Sequence, residues 1–200
     1  MKDKIILKSV DLFLNLGFKS VTMDDIANEM GISKKTIYQH FQNKTKLVEA
    51  TAMNVFSNIS QGIDCICALD KNPIEELYEI KKFVMHHLKN EKSSPQYQLQ
   101  KYYPKIFSNL KRKQFDKMMT CVTHNLERGV AQGIYRDSIN IDFVARLYFN
   151  NMLSLKDPYI FPREQFSMTL LMNNYLEYHI RGICSEQGLK TLTQLHIKEN

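Results

Sequence analysis

The chain is 200 residues long, 44% hydrophobic, and carries a formal net charge of +6. That length holds one large domain or two small ones, and the composition is that of a globular chain. With only seven Gly and five Pro against plentiful Met, Leu, Lys and Gln, and no alternating Val/Ile/Thr runs, the expected fold class is all-α.

The opening "MKDKIILKSVDLFLNLG" superficially resembles a signal peptide, yet Lys8 and Asp11 break the apolar run and no small-residue cleavage site follows. No stretch approaches the ~18 uninterrupted apolar residues of a membrane span. A soluble, cytoplasmic protein with no membrane partner is therefore expected.

In chain order, residues 2–16 form an amphipathic helix with Ile6, Val10, Phe13 and Leu14 on one face, and Gly17 stands where a left-handed cap is wanted. Thr22 caps a short helix whose first turn holds Asp24 and Asp25, where the positive end of the helix dipole favours acids. Ile26, Ala27 and Met30 form its inner face. Gly31 supplies a tight turn, Ile32 fills the corner, and Ser33 caps a third helix over 34–41. A fourth starts after Asn43 and runs to about residue 68. Three short helices, the last two joined by a glycine turn, make a helix-turn-helix pattern. The expected division is a helix-turn-helix domain over 1–48 and a larger helical domain over 49–200.

Beyond it, Asn72 caps a helix with Pro73 at its first position and Glu75 and Glu76 behind, reaching about residue 90 and ending at "NEKSSP". A short helix follows at 96–102, then a longer helical region from Pro104 to Gln132, with a break expected near Lys111 and Gly133 closing it. Asn140 caps a helix over 141–156, "KDPYIFP" separates it from another at 163–183, and a last helix spans 186–197.

The stretch "MGISKKTIYQHFQNKTKL" holds four lysines and no acid. Lys34 and Lys35, like Lys44 and Lys46, follow capping residues, where each cation costs about 0.3–1 kcal/mol against the helix dipole. At 100° per residue, Ile37 and Phe41 point inward and Lys35 and Gln39 outward, with Thr36 and His40 on one flank and Lys34 and Tyr38 on the other. Lys, Gln and Thr can read base edges in a major groove, while Lys, Tyr, His and helix N-termini grip phosphates. Counterion release then offsets the misplaced cations. The preceding helix, with Asp24 and Asp25 at its start, is expected to face away from phosphate.

"TMDDIANEMGISKKTIYQHFQNKTKL" resembles the DNA-binding segment of TetR-type (TetR/AcrR-like) transcriptional regulators, in the "T-x-x-x-I-A" helix, "G-I-S-x-x-T-I-Y-x-H-F" and the following "x-N-K-x-x-L". The resemblance covers roughly residues 5–50. It implies that Lys34, Lys35 and Thr36 begin the recognition helix, that Tyr38 and His40 make backbone or groove contacts, and that Lys44 and Thr22 touch phosphate. Two lysines stand at 34–35, where many relatives carry a small residue or glycine at the second position. Together with Ser33, Gln39 and Lys46, these form the expected DNA-binding set. The resemblance also implies a homodimer paired through its last two long helices, binding a palindromic operator in double-stranded DNA, and a small-molecule effector.

The body supports those expectations in part. Phe143, Leu147, Tyr148 and Leu155 on one of the late helices, with Phe166, Leu170 and Tyr175 on the other, make both apolar on two faces, as either a dimer interface or an internal core requires. Two recognition helices one DNA turn (~34 Å) apart would suit a twofold dimer. Tyr102, Tyr103, Phe107, Phe115, Met118, Met119 and His124 form a Met- and aromatic-rich set that fits an adaptable ligand pocket or plain core. Residues 81–117 carry 10 basic against 2 acidic groups, consistent with an anionic, partly apolar ligand or with a solvated face.

No metal and no cofactor are expected. Of His86, His87 and Glu91 only the last two share a helix face, and two ligands do not make a site. Cys65 and Cys67 are two apart and point in different directions on a helix, so they cannot share a metal, and with Cys121 and Cys184 they read as reduced thiols. No catalytic motif or clustered acid–base set appears, which disfavours an enzyme. The remaining alternative is a DNA-binding regulator whose body answers to a protein partner.

Overall fold

The computed structural model describes residues 1–88 and 95–199, without the side chains of Leu88 and residues 196–199. The expected helix end at "NEKSSP" and the residue Glu91 lie outside the described residues.

Ten helices account for the described fold: α1 (Lys2–Leu16), α2 (Met23–Met30), α3 (Lys34–His40), α4 (Lys44–Cys67), α5 (Pro73–Leu88), α6 (Pro95–Tyr102), α7 (Pro104–Ala131), α8 (Ile141–Ser154), α9 (Met168–Ile183) and α10 (Glu186–Glu199). The all-α class is as expected, and the one element of β pairing among the described residues is an isolated antiparallel bridge between Tyr135 and Cys184.

Several local expectations change. The buried stripe of α1 is Ile5, Ile6, Ser9, Leu12 and Phe13, rotated from the expected one, and the helix packs against both α2 and α3. Gly17 has φ 88 with ψ 154, outside the left-handed helical region, although its N–H still bonds to the Phe13 carbonyl. Helix α7 runs unbroken for 28 residues through Lys111; Lys, Arg and Gln are good helix formers and no Pro or Gly interrupts them there. Helix α9 starts later than expected, at Met168. A turn held by the Gln165 and Phe166 N–H groups on the Pro162 carbonyl occupies the intervening residues, and Ser167 caps the helix at the Leu170 N–H.

The chain divides into two compact units. The first comprises Met1–Gln61 and His87–Gln114, with a core centred on Ile5, Phe13, Ile26, Ile37 and Leu47. The second comprises Gly62–His86 and Phe115–Asn200, around Ile74, Leu126, Tyr135, Leu176, Ile180 and Leu192. Helices α4, α5 and α7 each contribute residues to both units.

The second unit also contains a buried polar network. Glu76, only 1% exposed, accepts from the Arg128 guanidinium and from the Asn125 amide at 2.7 Å. Asn125 also donates to the Pro73 carbonyl at 2.9 Å and accepts from the Tyr135 hydroxyl at 3.1 Å. Arg128 further pairs with Asp70. Each partner satisfies groups whose burial is otherwise costly, so breaking the Glu76–Arg128 pair is expected to cost about 3–5 kcal/mol. The network fixes α5 against α7. Gly129 lets Tyr135 approach: a Cβ there would lie well inside contact distance of the tyrosine ring.

Candidate nucleic-acid interface

All three expected caps at the helix-turn-helix are made. Thr22 accepts from the Asp25 N–H at 3.1 Å, and the Asp25 carboxylate accepts from the Thr22 N–H at 2.7 Å, a reciprocal capping box. These hydrogen bonds from the Thr22 backbone and hydroxyl hold the Asp25 carboxyl below its ordinary pKa. Ser33 accepts from the Thr36 N–H at 3.1 Å, and Asn43 from the Lys46 N–H at 2.9 Å. Gly31 ends α2 in the left-handed conformation, φ 62 and ψ 33, which an L side chain rarely adopts. The turn into α3 depends on it.

Helix α3 is anchored by one side chain and its flanking residue. Ile37 is fully buried and Phe41 nearly so; Phe41 is the residue after the helix rather than its last turn. That anchoring turns Lys35, Tyr38, Gln39 and His40 outward, all exposed, with Thr36 half-buried. Ser33, Lys34, Lys46 and Thr22 are also exposed, and Lys44 is half-buried. The expected DNA-binding residues therefore lie together in the first unit, across the starts of α2, α3 and α4.

The four lysines differ in their partners. Lys34 donates to Asp24 at 2.7 Å, and this hydrogen bond raises its pKa. The helix of Asp24 thus does not stand apart from the basic surface as expected: the turn brings Asp24 against the start of α3. Lys46 pairs with Glu49 one turn on, at 2.9 Å. Burial lowers the pKa of Lys44, partly countered by the Asp25 charge, and its ammonium donates to the Lys19 carbonyl at 3.4 Å. Lys35 has no acidic partner among the described residues and projects from the centre of the outward face. Lys19, which the sequence reading passed over, joins this surface from the α1–α2 loop. Its signal was a lone cation three residues before the Thr22 cap.

The expected ligand set is drawn from both units. Tyr102, Tyr103 and Phe107 belong to the first unit and Phe115, Met118, Met119 and His124 to the second. Tyr102 is exposed at 40%, Tyr103 meets Phe18 edge-on at 6.3 Å, and Phe107 packs on the first core. Phe115 stands edge-on to Phe149 at 5.1 Å, Met118 and Met119 pack on the second core, and His124 is exposed. The expected dimer set divides too. Tyr148, Leu155 and Tyr175 are buried in their own unit, whereas Phe143, Leu147 and Leu170 are 62%, 42% and 45% exposed. Phe166 is half-buried and edge-on to Phe161 at 5.7 Å.

Among the described residues no group of three His, Cys, Asp or Glu side chains could hold a metal, and no helix is long and apolar enough to cross a membrane. Cys67 has Cys121 beside it, and burial with the nearby Glu76 charge pushes its thiol up to about 12.

The geometry of α2, the Gly31 turn and α3 is that of a helix-turn-helix. Residues 5–51 match the family described as bacterial regulatory proteins, tetR family, so the segment that carries the helix-turn-helix is similar to that family's N-terminal domain. Over 57 residues it is 37% identical to IcaR, the negative transcriptional regulator of the icaADBC biofilm operon, from Staphylococcus epidermidis, covering 28% of this chain and 31% of that one. Over 79 residues it is 33% identical to IcaR of Staphylococcus aureus, covering 40% and 42%. The matches thus span less than half the length of these relatives. In fold it is similar to a TetR-family transcriptional regulator from Agrobacterium tumefaciens, with TM-score 0.73 at 19% identity over 92% of this chain and 97% of that one. It is also similar to SmeT, the repressor of the Stenotrophomonas maltophilia multidrug efflux pump SmeDEF, with TM-score 0.71 at 14% identity over 93% and 91%.

Proposed function

We propose that the protein is a homodimeric transcriptional repressor that binds a palindromic operator through α3 and is released from it by a small molecule. The observation that carries this reading is the outward face of α3. Lys35, Tyr38, Gln39 and His40 stand exposed on a helix whose inward side is locked by Ile37 and Phe41. Lys35 and Gln39 serve as base readers, since both can present donors to major-groove edges. Tyr38, His40, Thr22, Ser33, Lys34, Lys44 and Lys46 act on phosphates around them. The repressor sense follows the curated relatives, which are negative regulators.

The functional division is residues 1–48 for DNA and 49–200 for sensing and pairing. The exposed Phe143 and Leu147 on α8 and Leu170 on α9 support pairing, because a monomer gains nothing by placing them in water. The effector occupies the helical body, where Phe115, Met118 and Met119 offer an apolar, adaptable lining.

The test is a set of single substitutions measured on duplexes selected by the protein itself. Lys35→Ala and Gln39→Ala should change which bases are preferred, whereas Lys44→Ala should weaken all duplexes about equally. Unchanged affinity after Tyr38→Ala combined with Lys44→Ala would contradict the assignment.

A further inference from the structure

The basic excess of the chain is partitioned between the two units. Residues 1–61 and 87–114 carry 15 basic and 7 acidic side chains, and the rest of the chain 12 and 14. The helix-turn-helix residues do not account for that excess alone, since within residues 95–114 there are five cations and no acid. Those five, Lys101, Lys105, Lys111, Arg112 and Lys113, are all exposed, and none has a carboxylate partner among the described residues.

Helix α6 is fixed to the helix-turn-helix side of its unit. Leu99 is buried, at 4% exposure, and the Gln98 side-chain oxygen accepts from the Lys19 N–H at 3.3 Å. With that side inward, Tyr97, Lys101 and Tyr102 are left in solvent, the two tyrosines 46% and 40% exposed. The Lys101 ammonium lies 5.7 Å from the Tyr97 ring centre and 5.5 Å from that of Tyr102. Across the same Tyr102 ring, at 5.3 Å, lies the Lys19 ammonium. The Lys19 carbonyl in turn accepts from Lys44 at the start of α4. A continuous run of contacts therefore leads from the α4 phosphate-gripping end, through the α1–α2 loop, to the outer face of α6.

We propose that this face of α6, continued by Lys105 at the start of α7, is a second DNA-backbone surface that grips phosphates flanking the bases read by α3. Cations held over tyrosine rings keep their ammonium groups in defined positions at an exposed site. Acid-free clusters repel themselves in the free protein, and a polyanion with one charge per ~1.7 Å of axis relieves that repulsion and releases counterions. The occupant is duplex DNA because the surface is continuous with the residues assigned to DNA. The inference rests on that assignment.

The experiment uses the full-length protein and a duplex it selects from a random pool, made in two lengths: trimmed to the selected bases, and extended by eight base pairs at each end. Affinity is measured against salt for the native protein, for Lys101→Gln/Lys105→Gln, and for Lys101→Arg/Lys105→Arg. The native protein and the Arg variant should show a steeper log K against log salt slope on the long duplex. The Gln variant should lose about 1–2 units of that slope per protomer, with the three proteins indistinguishable on the trimmed duplex and equal in thermal melting. Identical slopes for native and Gln proteins on the long duplex, with binding to the trimmed one intact, overturn this inference alone. Failure of the native protein to bind any duplex overturns both it and the proposed function.

Discussion

Lowering the pH should expose the cost of keeping His179 neutral. This histidine is 8% exposed on α9, with the Tyr148 ring at 4.9 Å and the Tyr175 ring at 5.8 Å. Burial lowers its pKa to about 4, against about 6.5 in an unfolded chain. Above pH 6.5 neither state binds the proton and the stabilisation is complete. As pH falls below 6.5 the unfolded state takes up a proton that the folded state refuses, so stability is lost until about pH 4. The difference of about 2.5 units corresponds to about 3 kcal/mol in full, and to about 2 kcal/mol by pH 5. Urea melts followed by helical circular dichroism at pH 7.5 and 5.0, on the native protein and His179→Phe, isolate this contribution. The native protein should lose about 2 kcal/mol more than the variant over that range. An equal loss in both would refute the argument, because the remaining titrating groups are shared.

Three further outcomes are expected. Ser33→Ala removes the side-chain acceptor for the Thr36 N–H and should cost about 1 kcal/mol in melting experiments, with weaker DNA binding; unchanged melting would contradict the cap. Gly129→Ala forces the Tyr135 ring away from α7 and strains its hydrogen bond to Asn125, for a loss of about 1–3 kcal/mol in urea melts; a variant as stable as the native protein would show that the close approach is unimportant. Alkylation at pH 8, read by tandem mass spectrometry, should modify exposed Cys65 before Cys67, held up to about 12, and Cys184, held up to about 11. Equal rates would contradict that ordering.

The helix-turn-helix was the most legible part of the sequence because its determinants are local. Thr22, Ser33 and Asn43 cap helices through bonds reaching three residues, and Gly31 specifies a turn by its own backbone freedom. The inward position of Ile37 follows from helical rotation alone. What could not be read were pairings set by tertiary placement. Asp24 and Lys34 are ten residues apart, and nothing local announces that the Gly31 turn brings them together. The Lys19–Tyr102 contact spans still more of the chain. The body was legible as helices but less so as surfaces: Tyr148 and Leu147 are adjacent and both apolar, yet one is buried and the other exposed. Only packing separates a core residue from an interface residue on a helix apolar all round. The division of the Met- and aromatic-rich stretch between two units was hidden for the same reason, since α7 continues from one into the other.

The central claim is that α3 reads duplex DNA as one of a twofold pair. Its most direct measurement is selection of bound duplexes from a random pool by the purified protein, followed by sequencing. The account predicts enrichment of a palindrome whose half-sites are centred about one helical turn apart, roughly 10 base pairs, with affinity that falls steeply as salt rises. A pool that shows no enriched sequence after repeated rounds, or enrichment unaltered by Lys35→Ala and Gln39→Ala, would contradict it.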